Sequence, residues 1–248
     1  MRTVGVDLSA EARGTGLAAI EWSEDGARLL HVQVGASDRT VLETVQGADQ
    51  AAIDCPLGWP EPLVDFLIAH RAGRALTPNG LSGLEWRRTL ARRATDLHVA
   101  QVVPGAVPLA VGADRIAAVA MRAAGLLALL ADAGTPVDRT GAGPLVEVYP
   151  AAALRLWGLT SRSYKGPGNR AALNQLVDQL QAALPTLDWG AHADTCRSSD
   201  DALDAVVCAI LARAAQLGLT SGPPIGLAAR AATEGWIHLP APDALERL

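Results

Sequence analysis

VGVDLSAEARGTGLAAI, residues 4–20, decides how the fold is read. Val4, Val6 and Leu8 alternate as one face of a strand, yet Asp7 falls inside the run. Aspartate is depleted in strands, and a carboxylate in a covered strand costs stability unless something pairs with it. Gly14-Thr15-Gly16 reads as a turn that sends the chain back as GLAAIEW (16–22). Glu24-Asp25-Gly26 then makes a hairpin into RLLHVQVG (28–35). The chain therefore opens with three strands and places an acid on the first. That acid calls for a partner elsewhere.

The next elements repeat the pattern of a strand stopped at a charge. A helix at about 38–47 leads to QAAID, which ends at Asp54 and breaks into CPLGWPEP, where prolines forbid a continuing central strand. Residues 62–73 read as a helix. From 74 to 112 the sequence holds Gly, Pro and Asn turns, the basic run RRTLARRATD and the apolar loop VVPGAVPLAVG, without firm periodicity. Such a length is expected of a functional loop or insertion. A long helix at 113–133 closes on Gly134, and PLVEVYP (144–150) is a further short strand carrying Glu147. AAALRLWG and residues 166–184 read as helices. SSDDALDAVVCAILARAAQLG (198–218) is the best-marked helix, with Ser and Asp at its start and Gly218 at its end. One domain over 1–248 is expected, with insertions at about 55–112 and 150–196. The second insertion is open to two roles, a lid or a homo-oligomer contact.

Composition narrows the function classes. The 248 residues are 50% hydrophobic and 19% charged, with a net charge of −5 that excludes a generally basic nucleic-acid coat. The three cysteines (Cys55, Cys196, Cys208) have no CxxC spacing and are odd in number, against a zinc knuckle or a disulfide framework. No basic-plus-apolar leader precedes the first strand, and the longest apolar stretch is too short to span a bilayer. The expectation is a soluble cytoplasmic protein, not a membrane one.

Four places then combine a carboxylate with an element end: Asp7, Asp54, Glu147, and the pair Asp201 and Asp204 in the first turns of the last long helix. Taken singly, the pair could be helix-start charges, Asp54 a turn residue and Glu147 a solvent-facing strand residue. Asp7 resists such an account, because a first strand in this order is usually central. Carboxylates converging in a dry site raise each other's pKa, and a divalent cation relieves that. Oxygen donors without nearby His or Cys point to Mg²⁺ or Mn²⁺ rather than zinc.

These features resemble the RNase H-like fold: strand order, an acid in strand one, an acid ending strand four and Asp-x-x-Asp opening the last helix. Asp201-Ala-Leu-Asp204 is similar to the end of the acidic set of Holliday-junction resolvases. The closer resemblance is to the domain of unknown function 429 family of predicted nucleases, through GVDLSAEARGTGLA (5–18), AIDCPLGWP (52–60), RRATD (92–96), EVYPAAALRLWG (147–158), Tyr164-Lys165, DDALDAVVCA (200–209) and EGWIHLP (234–240). The resemblance implies an α/β fold with an RNase H-like mixed five-stranded sheet flanked by helices. It implies a metal-dependent nuclease with Asp7, Asp54, Asp204 and Asp201 as ligands of Mg²⁺ or Mn²⁺. Glu147 is then a further catalytic acid, or one that orients Lys165 or an arginine. Asp201 is preferred to Asp200, because three-residue spacing puts it on the face of Asp204.

Basic residues near such a site suit phosphate, and a nucleic acid is the expected partner. Arg92 and Arg93 with Asp96, in RxTD, and Lys165, in SYKGPGNR, are the substrate-binding candidates. A solvated helix face is the commoner fate of such a run. Trp59 and Trp86 could stack on bases or pack under loops. Two other classes stay open. Asp-x-Ser followed by Thr15-Gly16 also looks like the first phosphate loop of actin-like Mg-ATP phosphotransferases, although no second glycine-rich loop or GxxxxGK[ST] follows. A non-catalytic RNase H-like binding module is the third.

Overall fold

A computed structural model describes residues 1–74, 76 and 80–248. The opening three strands are β1 (Arg2–Asp7), β2 (Gly16–Ser23) and β3 (Gly26–Val34), followed by α1 (Asp38–Gln46) and β4 (Gln50–Asp54). Then come α2 (Glu61–Arg71), α3 (Gly83–Ala91), α4 (Ala94–Val102) and α5 (Ile116–Asp132). The chain continues through β5 (Leu145–Glu147), α6 (Pro150–Leu156), α7 (Arg170–Ala183), β6 (Leu187–Asp188), α8 (His192–Ser198) and α9 (Asp200–Gln216). It ends with β7 (Thr220–Ser221), α10 (Ala228–Glu234) and β8 (Leu239–Pro240). No helix among the described residues is long and apolar enough to cross a membrane.

The architecture is α/β. The main sheet runs β5-β4-β1-β2-β3-β6, and β7-β8 form a separate pair. β1–β2 and β2–β3 are antiparallel, whereas β1–β4, β4–β5 and β3–β6 are parallel. The expected five strands become six, because Leu187–Asp188 adds to the outer edge through Ala27 and Arg28. Two residues are too few to show a strand alternation in sequence. The unperiodic stretch 74–112 also resolves differently. Among its described residues it contains α3 and α4, and the segment after Val102 is an extended loop. The turns expected around 75–79 fall mostly outside the described residues.

Strand alternation sorts side chains between two cores. Val4, Val6, Leu8, Leu17, Ala19, Ala51, Ile53 and Leu145 pack against α1 and α5 through Val41, Val45, Val119, Leu126 and Leu130. Ala18, Ile20, Ala52, Val146 and Val148 face the other way, against Leu203, Val206, Val207 and Ile210 of α9 and Leu176 and Val177 of α7. Helix α9 lies across β1, β2 and β4 and is almost entirely buried. Glycine makes that approach possible: a Cβ on Gly5 would lie 2.0 Å from the Ala205 carbonyl oxygen, and one on Gly16 would lie 2.1 Å from that of Asp201. The first turns of α9 are thereby pressed onto the C-terminal end of β1.

Candidate active site

The alternation that buries Val4, Val6 and Leu8 against α1 and α5 sends Asp7 to the opposite face, toward α9. Asp54 shares that face, since it follows Ala52 by two residues. The parallel pairing of β1 with β4 sets Asp7 directly beside Asp54. The two carboxylates thus stand on adjacent strand ends, on backbones about 4.8 Å apart. Asp204 is fully buried beneath them, and Asp201 stands at the rim of the same cavity. Helix spacing places these two on one face of α9. Asp200 turns away and accepts a hydrogen bond from the Gly166 amide at 3.3 Å.

Two neighbours manage the charge of Asp204. The Tyr164 hydroxyl donates to its Oδ1 at 2.8 Å, and Lys165 Nζ lies 2.5 Å from its Oδ2. Oδ2 is buried, and among the described residues Lys165 is the cation that pairs with it. One ammonium does not neutralise the set. Burial, reinforced by the charges of Asp204 and Asp54, holds the Asp7 carboxyl well above the usual carboxylate range. Burial also pushes Asp54 up to about 7, against the lowering effect of Lys165, with Asp204 adding to the rise. Asp204 and Asp201 are raised as well, burial again being the main cause. Lys165 is raised despite burial, because Asp204, Asp7 and Asp54 surround it with negative charge.

The donor set fits a hard divalent cation by charge and chemistry. It offers clustered carboxylates in excess over the single ammonium, and the cavity lining holds no imidazole and, of thiols, Cys55 alone, which burial keeps protonated. Among the described residues, no three of His, Cys, Asp and Glu are already gathered as a metal cage. Lys165 holds the position of counter-charge instead.

Glu147 lines the same cavity and its charge reaches Asp54, but its carboxylate is engaged by Arg93. In the register of β4 with β5 it pairs with Ile53, one residue short of Asp54, and so faces the other side of the sheet. There it meets Arg93: Nη2 donates to Oε1 at 2.7 Å and Nη1 to Oε2 at 2.8 Å, while the Leu57 amide donates to Oε2 at 3.0 Å. Arg93 spends its remaining donors on Asp96, through Nε at 3.3 Å and Nη2 at 2.8 Å, and on the Glu234 carbonyl at 3.1 Å. It is 2% exposed. All five N–H groups are engaged within the chain, which leaves none for a phosphate. The expected roles of Arg93 and Asp96 in substrate binding are therefore replaced by a buried strut. Burial raises Glu147, and Arg93 offsets part of that rise. The strut extends through Glu234, whose carboxylate accepts from the Ala94 amide at 2.6 Å, the Glu61 amide at 2.9 Å and Arg230. Gly235, at φ +85, is where the chain must turn closely past it, since a Cβ would lie 2.7 Å from Glu147 Oε2. Arg92 is likewise directed to the chain, donating to the Pro108 carbonyl at 2.8 Å.

The acids open into a cavity of about 740 Å³. Its lining also takes in Val107, Pro108 and Leu109 of the extended loop, Tyr149 beside Asp54, and the Arg93–Glu147 pair. Arg115, exposed and without an ion pair among the described residues, also lines it. Sequence reasoning missed Arg115, which lies in no motif, and gave Tyr149 no role. Trp86 packs edge-on against Phe66 at 5.7 Å, in agreement with the packing alternative. His238 is hydrogen-bonded to Thr220 and the Thr140 carbonyl, away from the acids.

A family model described as protein of unknown function (DUF429) matches residues 5–226. The chain belongs to this family. The match runs from β1 to beyond β7, so it takes in Asp7, Asp54, Glu147, Lys165, Asp201 and Asp204. No curated protein and no solved structure matches the chain. The chemistry of this DUF429 member must therefore be read from its own geometry.

Proposed function

We propose that the protein is a metal-dependent nuclease, hydrolysing phosphodiester bonds of nucleic acid on an RNase H-like sheet. The observation that carries this reading is the register of Asp7 beside Asp54 with Asp204 and Asp201 pressed over them by α9. The strand order β3-β2-β1-β4-β5 supports it, since this is the order expected of the RNase H-like group. Asp7, Asp54, Asp204 and Asp201 would hold Mg²⁺ or Mn²⁺, which when bound supplies an activated water and charge stabilisation at the leaving oxygen.

The chain's own contributions are positional. Gly5 and Gly16 let α9 close on the strand ends, which fixes Asp204 against Asp7. Tyr164 orients Asp204 by donating to Oδ1, leaving Oδ2 directed at Lys165. Lys165 is a point charge on a flexible stem, suited to a phosphate oxygen once the carboxylates are neutralised otherwise. The Arg93–Glu147–Asp96 strut holds the β4–α2 turn rigid behind Asp54 through the Leu57 amide. A panel of single-stranded, hybrid and branched nucleic acids assayed with Mn²⁺ tests the proposal. Cleavage that Asp7→Asn abolishes is expected; cleavage that survives Asp7→Asn, or none on any substrate, would overturn it.

A further inference from the structure

The carboxylates line a half-open cavity whose lining is otherwise largely apolar. Its volume of about 740 Å³ falls in the range of pockets that enclose a small ligand. A double helix, whose major groove alone is about 12 Å wide, does not enter such a space. One nucleotide does.

The part of the lining formed by Val107, Pro108 and Leu109 is apolar and tied down. Val107 is 59% exposed and Leu109 is 42% exposed, yet the segment that carries them is anchored on both sides. Arg92 bonds the Pro108 carbonyl, the Ala110 amide donates to Asp114 at 2.9 Å, and the Gly112 amide donates to the Ala91 carbonyl at 3.1 Å. Gly112 sits so close to α3 that a Cβ would lie 2.6 Å from the Leu90 carbonyl. Apolar side chains held at a cavity mouth by such bonds form a built surface. Tyr149 adds an aromatic ring to the lining, and its hydroxyl makes no hydrogen bond to a described residue. Lys165 and Arg115 bring positive charge to the same cavity.

Resting on the nuclease reading for its phosphate end, we propose that this cavity takes one unpaired nucleotide. Its base lies against Tyr149 and the Val107–Leu109 wall, and its phosphate lies at Lys165 and the carboxylate end. The unit is either the unpaired end of a strand or a free nucleotide, and a duplex laid across the sheet is excluded. Base–aromatic stacking and apolar contact supply affinity without sequence preference.

The test measures binding and cleavage separately on the full chain. A fluorescent single-stranded tetranucleotide and a blunt duplex of matching sequence are titrated in Ca²⁺ in place of Mn²⁺, so that the carboxylates are neutralised, with thymidine monophosphate as competitor. The single strand is expected to bind at least roughly tenfold tighter than the duplex, and Leu109→Glu to weaken it by roughly tenfold. Val107→Glu, at the most exposed position of the wall, serves as a second variant. Displacement of the strand by the monophosphate at similar affinity identifies a free nucleotide as the ligand; failure to displace identifies a strand end. Equal or tighter duplex binding, or unchanged strand binding in both wall variants, overturns the proposal. Selective strand binding without Mn²⁺-dependent cleavage sinks the nuclease reading and leaves the pocket standing. Cleavage inside a blunt duplex does the reverse.

Discussion

Asp54→Asn should stabilise the metal-free protein, by an amount that grows from about pH 4 and is complete above about pH 7. The Asp54 carboxyl is pushed up from 3.8 to about 7, chiefly by burial, with Asp204 adding to it. The native state thus keeps a proton that the unfolded chain gives up as pH rises through 4. Fewer protons on the unfolded state means that stability falls with rising pH, from about pH 4 to about pH 7, and stays low above. Each pH unit of that gap is worth about 1.4 kcal/mol, so the carboxylate costs on the order of 4 kcal/mol above pH 7 and under about 1 kcal/mol at pH 4. Asparagine is neutral throughout and removes the cost. In EDTA at pH 8 the variant should melt roughly 8–16 °C above the wild type, with almost no gain at pH 4. Mn²⁺ should raise the wild-type Tm far more than that of the variant. Thermal melts at the two pH values, with and without the metal, measure all three quantities. A gain of equal size at both pH values, or a variant less stable at pH 8, would refute a buried, repelling carboxylate at this position.

Three other substitutions probe the supports of the site. Gly5→Ala forces α9 off β1 and should cost about 2–3 kcal/mol in urea unfolding, with Mn²⁺ affinity falling in parallel. Arg93→Met leaves Glu147 and Asp96 buried without their partner and should cost about 3–5 kcal/mol, whereas Glu147→Gln should leave Mn²⁺ binding by folded protein unchanged. Loss of Mn²⁺ binding in Glu147→Gln would return that residue to the ligand set. Lys165→Met removes the cation paired with Asp204 among the described residues and should lower stability in EDTA by about 1 kcal/mol, a deficit that millimolar Mn²⁺ erases.

Asp7, Asp54, Asp201 and Asp204 were legible in the sequence because each clue is local. An acid inside an apolar strand, a strand stopped by Cys-Pro and a three-residue helix spacing need no knowledge of distant contacts. For Glu147 the sequence left two readings open, a further acid of the set or a partner of an arginine, and the pairing with Arg93 is the second; register decides between them. EVYP looks like a strand end equivalent to AID, but pairing with Ile53 sets Glu147 one residue out of phase with Asp54. Arg93 depended on contacts still further away. Its partners come from Glu147 and from the Glu234 carbonyl, 54 and 141 residues on, so RRATD by itself could only look like a solvated or phosphate-binding run. Helix α3 carried a readable signal, since Ser82 and Glu85 form a reciprocal capping box at its start. The cavity wall had none: Val107–Leu109 are three ordinary apolar loop residues until Arg92 and Gly112 anchor them.

The central claim is that Asp7, Asp54, Asp204 and Asp201 form a site for a hard divalent cation. Calorimetric titration of Mn²⁺ into the metal-free protein tests it most directly, with Asp7→Asn and Asp204→Asn alongside. Saturable binding at millimolar metal or below, lost in both variants while their melts remain cooperative, is the predicted result. No binding by the wild type, or binding that both variants retain, would contradict it.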